Sequence, residues 1–202
     1  RCPFCQNGDL VLHSARVPQL DEQEVLRLHE KRRGILTGVC VTGGEPTLQP
    51  DLADFLRKIK ELGLLVKLDT NGYLPEVIEG LFRQGLLDYI AMDIKTSPEH
   101  YAAVAGLPGL QMDRIEKSAA FVQSCGLPYE FRTTVVRELH HSEDFLSIGR
   151  WLKGARAYFL QSYQESEGVI SPVFSAYSKE ELESFRSMLL PFIPNTSLRG
   201  VD

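Results

Sequence analysis

Residues 38–72 read GVCVTGGEPTLQPDLADFLRKIKELGLLVKLDTNG. Two short runs of strand formers, around 38–41 and 64–69, flank a helical pattern. Within it Leu52, Phe55, Leu56, Ile59 and Leu62 recur at i, i+3, i+4 spacing and form one apolar stripe. Gly63 sits where a left-handed residue ends such a helix. A strand, a helix of three turns and a second strand make a crossover unit, which joins parallel strands.

The same grammar continues outward. Further strand candidates are LDYIAMDIK (87–95), YEFRTTVV (129–136), AYFLQSY (157–163) and a short SLRGV (197–201), rich in Val, Ile, Tyr, Phe and Thr. Helices are expected at about 21–33, 51–62, 75–84, 113–125, 142–153 and 178–190. Asp21 with Glu24, Asp113 with Glu116, and Ser178 with Glu181 have capping-box spacing. Gly34, Gly85, Gly126 and Gly154 stand at helix stops. Alternation of this kind predicts an α/β domain with a parallel sheet, either open and doubly wound or a barrel. No linker, repeat or low-complexity tract divides the 202 residues, so one domain over 1–202 is expected.

Composition narrows the function. The 22 basic and 27 acidic side chains leave a net charge of −5, which argues against a nucleic-acid or anionic-membrane surface. The run Lys31-Arg32-Arg33 reads as cations at a helix C-terminus. No apolar run is long enough to span a membrane. Four cysteines, only two of them in a motif, do not make a disulfide framework and fit a reducing cytoplasm.

Polar residues gather where strands end, which is where parallel α/β folds bind ligands. The first strand runs into Gly43-Gly44-Glu45, the second into Asp69-Thr70-Asn71-Gly72, and the third into Asp93-Ile94-Lys95. The fourth carries Arg132 and the fifth Gln161. The two glycines allow backbone to approach a ligand. Glu45 suits an ammonium, Asp69 and Asp93 a cation or a ribose, and Lys95 and Arg132 a carboxylate. Each has an ordinary reading as a turn or a helix cap. Four successive strands with the same pattern point to a zwitterionic ligand bearing an amine, a carboxylate and a sugar. The long connection 96–109, with its prolines and glycines, is a candidate flap over that site.

The chain opens on Arg1-Cys2-Pro3-Phe4-Cys5. A zinc clip needs four ligands. Cys40, within a strand, and Cys125, near a helix end, read as small buried hydrophobes. His140-His141 reads as loop. A redox dithiol would need a strand before it and a helix after it, but QNGDLVLHSARVP (6–18) reads as loop. A cluster motif that has lost its first ligand fits better.

RCPFCQN (1–7), TGGEPTLQPDL (42–52), KLDTNG (67–72), AMDIK (91–95) and EFRTTVV (130–136), in this order and spacing, resemble the radical S-adenosylmethionine (SAM) enzymes. Among these, the resemblance is first to the activating protein of anaerobic ribonucleoside-triphosphate reductase, and the chain is also similar to the pyruvate formate-lyase activating enzyme. Cys2 and Cys5 match the second and third positions of the family's Cys-x3-Cys-x2-Cys signature, and Phe4 its aromatic. The first cysteine would precede Arg1 by three residues, and the strand before it would open the barrel. An N-terminally truncated single domain is therefore expected.

The resemblance implies a partial (β/α)6 barrel of parallel strands, a 4Fe–4S cluster on the thiolates, and SAM on its open iron. One-electron reduction of the sulfonium would yield a 5′-deoxyadenosyl radical. It implies that Cys2 and Cys5 are cluster ligands and that Gly43, Gly44 and Glu45 meet the methionine amine. Phe4 would lie near the adenine, with Asp69, Asn71, Asp93, Lys95, Arg132 and Gln161 around the ribose and carboxylate. The expected activity is abstraction of a glycine Cα hydrogen from a partner glycyl-radical enzyme, with anaerobic ribonucleotide reductase as that partner. A flavodoxin or ferredoxin would supply the electron. Such a site should offer backbone-type hydrogen bonds and few deep apolar pockets. Two other readings stay open: a small-molecule radical enzyme such as a deazapurine-type cyclase, and a non-catalytic remnant or binding module.

Overall fold

Every expected strand run forms a strand in the computed structural model, which describes residues 2–166 and 168–201. These are β1 (Gly38–Val41), β2 (Leu65–Thr70), β3 (Tyr89–Asp93), β4 (Tyr129–Val135), β5 (Tyr158–Ser162) and β6 (Thr196–Arg199). They pair in chain order into one parallel sheet, β1-β2-β3-β4-β5-β6. The sheet does not close on itself, which makes it a partial TIM-like barrel. Helix α3 (Leu52–Glu61) joins β1 to β2, and α4 (Pro75–Arg83) joins β2 to β3. Then α5 (Tyr101–Val104) and α6 (Met112–Ser124) lead to β4, α7 (Ser142–Trp151) to β5, and α8 (Lys179–Leu189) to β6. Two helices, α1 (Gly8–Leu12) and α2 (Glu22–Lys31), precede β1.

Period-two alternation divides each strand between two environments. Val66, Leu68, Ile90, Met92, Phe131 and Leu160 are fully buried in the core, together with Leu56, Ile59, Ile78 and Ile148 from the helices. The alternate positions carry Lys67, Asp69, Asp93, Glu130 and Arg132, which are charged and line the concave side. Truncating a residue such as Leu56 to Ala would cost about 3 kcal/mol, because both transfer energy and a cavity are involved. Gly72 shows how tightly β2 meets β3. It has φ +76°, and a Cβ there would lie 2.2 Å from Met92 Cε.

Several local expectations change in the fold. The stretch 6–18 is not all loop, because it folds into α1 and a 3₁₀ turn at Ser14–Arg16. Helix α6 starts one residue before Asp113, with Gln111 at its N-cap and no side-chain cap bond. Asp113 is thus a first-turn acid, favoured by the helix dipole. Cys40 is exposed rather than buried, since β1 is an edge strand with no neighbour beyond it among the described residues. His140-His141 is loop as expected, but within it His140 is fully buried and His141 takes the N-cap of α7.

Candidate active site

The ends of β1 and β2 are tied together by one carboxylate. Glu45 Oε1 accepts hydrogen bonds from Thr47 Oγ1 (2.6 Å), Thr47 N–H (3.2 Å) and Thr70 Oγ1 (2.7 Å). Its Oε2 accepts from Asn71 N–H (2.7 Å). Asn71 Oδ1 in turn accepts from Tyr73 N–H (2.8 Å), an Asx turn that bends the chain into α4. Glu45 therefore has a framework role that its sequence context did not disclose. It also keeps lone-pair capacity on Oε2 toward a cavity of about 210 Å³.

That cavity brings Cys2, Glu45, Asn71 and Lys95 together. Its other wall is apolar: Tyr73, Leu74, Leu107, Leu110 and Ile115, with Leu48 at the rim. The connection after β3 supplies Leu107 and Leu110 to this wall. The apolar wall corrects the expectation of a lining that mainly offers backbone-type hydrogen bonds.

Asp69, Asp93, Lys95 and Arg132 form one ion-pair chain. Arg132 Nε donates to Asp93 Oδ1 (2.5 Å) and its NH1 to Asp69 Oδ2 (2.9 Å), while Lys95 Nζ donates to Asp93 Oδ2 (3.0 Å). The sheet register creates this arrangement, because Asp93 lies opposite Arg132 and Asp69 opposite Ala91, whose methyl leaves the guanidinium room to cross β3. Burial would raise the Asp93 carboxyl, but Lys95 and Arg132 outweigh it and hold the carboxyl below its usual range. Burial likewise opposes the Lys95 charge, yet Asp93 and the nearby Cys2 raise its pKa. The two aspartates are thus bridged by Arg132, which takes the place envisaged for a cation between them. Asp69 Oδ1 is buried without a hydrogen-bond partner, 3.4 Å from Lys67 Nζ.

A second ionic layer lies on the same face, nearer the strand starts. Glu130 is 3% exposed and accepts from Arg199 through both oxygens (2.9 and 2.7 Å). Lys67 Nζ and the Tyr89 hydroxyl also donate to it, at 3.3 and 3.1 Å. Burial raises the Glu130 carboxyl, but Arg199 and Lys67 bring it down to about 2. Tyr89 is pushed up to about 12 by burial and by Glu130. Sequence reading passed over Lys67, Tyr89, Glu130 and Arg199. Its position two residues before Arg132, on the same face of the strand, was the available signal for Glu130. Arg199, in a short last strand, carried none.

Cys2 and Cys5 are free thiols on a tight turn, with Cys5 N–H donating to Cys2 O (3.0 Å). The turn is strapped by the segment after β5. Ser171 N–H donates to Pro3 O (2.9 Å), Ile170 N–H to Cys5 O (3.1 Å) and Gly8 N–H to Gly168 O (3.1 Å). Both glycines are needed at the crossing, since a Cβ on Gly8 would sit 2.7 Å from Gly168 O and one on Gly168 2.8 Å from Gln6 O. Phe4 is buried in a satellite cluster with Val104, Val136 and Tyr163. Gly43 and Gly44 do not line the cavity. Their missing Cβ positions face Leu10 and Val11 of α1, and Gly43 has φ +135°. Gln161 stands on the concave face of β5, in register between Thr134 and Arg199, outside both ion-pair chains.

Comparison with known proteins accords with this geometry. A protein of Methanocaldococcus jannaschii provisionally named a glycyl-radical enzyme activating enzyme is 30% identical over 216 residues, covering 100% of this chain and 85% of the relative. The PqqA peptide cyclase of Methylorubrum populi is 30% identical over 154 residues, covering 73% of this chain but 39% of the cyclase. Among solved structures, a domain of a pyruvate-formate lyase-activating enzyme from Bacteroides vulgatus superposes with a TM-score of 0.66 at 18% identity. That match covers 81% of this chain and 99% of the domain, and it bears on the fold alone. The sequence profile of the radical SAM superfamily matches residues 1–148, and the chain belongs to that superfamily.

Proposed function

We propose that residues 1–202 form one radical SAM domain of a cytoplasmic activating enzyme, which abstracts a Cα hydrogen from a glycine of a partner glycyl-radical enzyme. An anaerobic ribonucleotide reductase is the partner we favour, with a flavodoxin or ferredoxin as electron donor. The observation that carries the reading is the cavity joining the cysteine turn to three consecutive strand ends.

The superfamily's cofactors are a 4Fe–4S cluster and SAM; Cys2 and Cys5 fit two of the cluster's thiolate positions, and the cavity beside them carries groups that fit SAM. Two unpaired, half-buried thiols stand on a strapped turn, and Cys2 faces the cavity that holds Glu45, Asn71 and Lys95. When bound, the pair supplies a one-electron reductive cleavage that yields a carbon radical able to remove hydrogen. The chain's own residues bind and orient. Cys2 and Cys5 provide thiolates. The free capacity of Glu45 Oε2 takes an ammonium, and Lys95 with Arg132 takes a carboxylate. No side chain is assigned an acid or base role, since the abstracted atom leaves as hydrogen with its electron.

The apolar wall from Tyr73 to Ile115 excludes water from the reacting region and suits a peptide segment beside the target glycine. The whole-length likeness to the M. jannaschii protein and the partial likeness to a peptide cyclase support a polypeptide substrate. The test pairs the complete protein with the anaerobic reductase, under oxygen-free reducing conditions with SAM. A doublet glycyl signal in electron paramagnetic resonance is expected, and it should vanish when the target glycine is replaced by alanine. Multiple turnovers on a small heterocycle, with no protein radical on any glycyl-radical partner, would overturn the reading.

A further inference from the structure

His140 touches both halves of the site while lining neither. Its Nε2 lies 2.7 Å from the carbonyl oxygen of Lys95, and Val136 N–H donates to its Nδ1 at 3.0 Å. The Val136 carbonyl is 3.1 Å from the same Nδ1. The ring packs edge-on to Phe4, between the two motif cysteines, with centroids 6.4 Å apart, and stacks on Phe145 at 6.2 Å. Residue His140 is fully buried.

A carbonyl has no proton to give, so the hydrogen on Nε2 is required by the Lys95 contact. The Val136 carbonyl already accepts from His140 N–H (3.0 Å), so Nδ1 is the bare nitrogen and accepts from Val136 N–H. Lys95 needs such a partner because the ladder has already ended. Ile94 N–H makes the last β3–β4 bond, to Arg132 O (2.9 Å), and the next two carbonyls are held by side chains. Thr133 Oγ1 donates to Ile94 O (2.6 Å), and His140 takes Lys95 O. The direction of the Lys95 side chain into the cavity therefore depends on a ring that also abuts the cysteine turn.

We propose that His140 is a positioning residue for the cofactor site: it holds the Lys95 peptide and the Phe4 ring in fixed relation, so that the Lys95 ammonium and the cysteine turn face the same ligand. The groups facing it are Lys95 and Val136 through backbone, Phe4 and Phe145 through their rings, and Tyr177, whose hydroxyl donates to His140 O (2.7 Å). The inference rests on the assignment of Lys95 to the SAM site.

Two nearly isosteric variants separate the two hydrogen bonds. His140→Gln retains a donor near the Nε2 position and loses the acceptor for Val136. His140→Asn retains the acceptor and loses the donor to Lys95. In the cluster-loaded complete protein, calorimetry should give His140→Asn a SAM affinity about tenfold weaker, one 1.4 kcal/mol step, while His140→Gln stays within about threefold. Thermal melting of both reports the packing role separately. Equal losses in the two variants, or none in His140→Asn, would overturn the proposal. Lys95→Met is the control: normal SAM binding there would sink the assignment of Lys95, whereas weak binding there with normal His140→Asn sinks only the role of His140. The unsubstituted chain offers an independent check. Imidazole 15N shifts should show Nε2 protonated, and a bare Nε2 would overturn the proposal even if neither variant folds.

Discussion

Glu130 shows how a strand-interior carboxylate can be held ionised by its surroundings. Its folded pKa is depressed to about 2 by Arg199 and Lys67, acting against burial. Between that value and the ordinary carboxylate range near 4.3, the unfolded chain binds the extra proton, so stability rises with pH. The contribution is complete above the ordinary value and is lost as pH falls toward 2, a swing of about 3 kcal/mol. Glu130→Gln should flatten the melting temperature between pH 5 and 3, and an unchanged pH profile would contradict the ionic layer. Asp93 sits in the upper layer and holds two cations, Arg132 and Lys95. Asp93→Asn is expected to weaken SAM binding in the complete protein about tenfold and to cost about 2 kcal/mol, since a charge-assisted pair becomes a neutral contact. A loss of stability with SAM binding intact would make Asp93 purely structural.

At the scale of elements, the cysteine turn is held less by its own helix than by the strap after β5. Helix α1 has only five residues, too few to be stable alone. The strap's backbone donors at Ser171 and Ile170 fix the turn, and the Gly8–Gly168 crossing lets the two chains approach. Gly8→Ala would push a methyl into the Gly168 carbonyl. The expected outcome is a fold that melts within a few degrees of the parent, but a reconstituted cluster that loses iron faster under a chelator. Equal iron-release rates would show that the strap does not secure the turn. The 96–109 connection has a comparable anchor. Buried Asp144 accepts from Ser97 Oγ (2.5 Å) and His100 Nδ1 (2.7 Å), which ties the root of the flap to the start of α7.

For the whole molecule, ligand count is the decisive quantity. The resemblance implies three thiolates for a 4Fe–4S cluster, and Cys2 and Cys5 supply two. Residues 1–202 expressed alone should take up iron and sulfide with little stable cluster absorbance. A chain extended upstream by a strand and a Cys-x3 segment should recover it. A stable, stoichiometric cluster on the 202 residues alone would overturn the expectation. The same unclosed sheet leaves β1 as an edge, and Cys40 is accessible there on the concave face.

The order of strands and helices was legible in the sequence because it is written in local periodicity. The stripe of α3 and the glycine stops need only neighbouring residues, and the six strand runs all formed. The gathering of Glu45, Asn71 and Lys95 was legible for the same reason, since parallel topology sends successive strand ends to one side. What the fold alone decided lies in contacts between residues far apart in the chain. The bidentate Arg199–Glu130 pair spans 69 positions, and Arg132 bridges two aspartates only because the register sets Asp93 opposite it. The burial of His140 against Phe4, the apolar wall beside the cysteine turn, and the displacement of Gly43 and Gly44 from the cavity are of the same kind. Local periodicity fixes which face a side chain occupies. Which partner it meets there depends on register and on packing between elements, and neither is encoded in any short stretch of the chain.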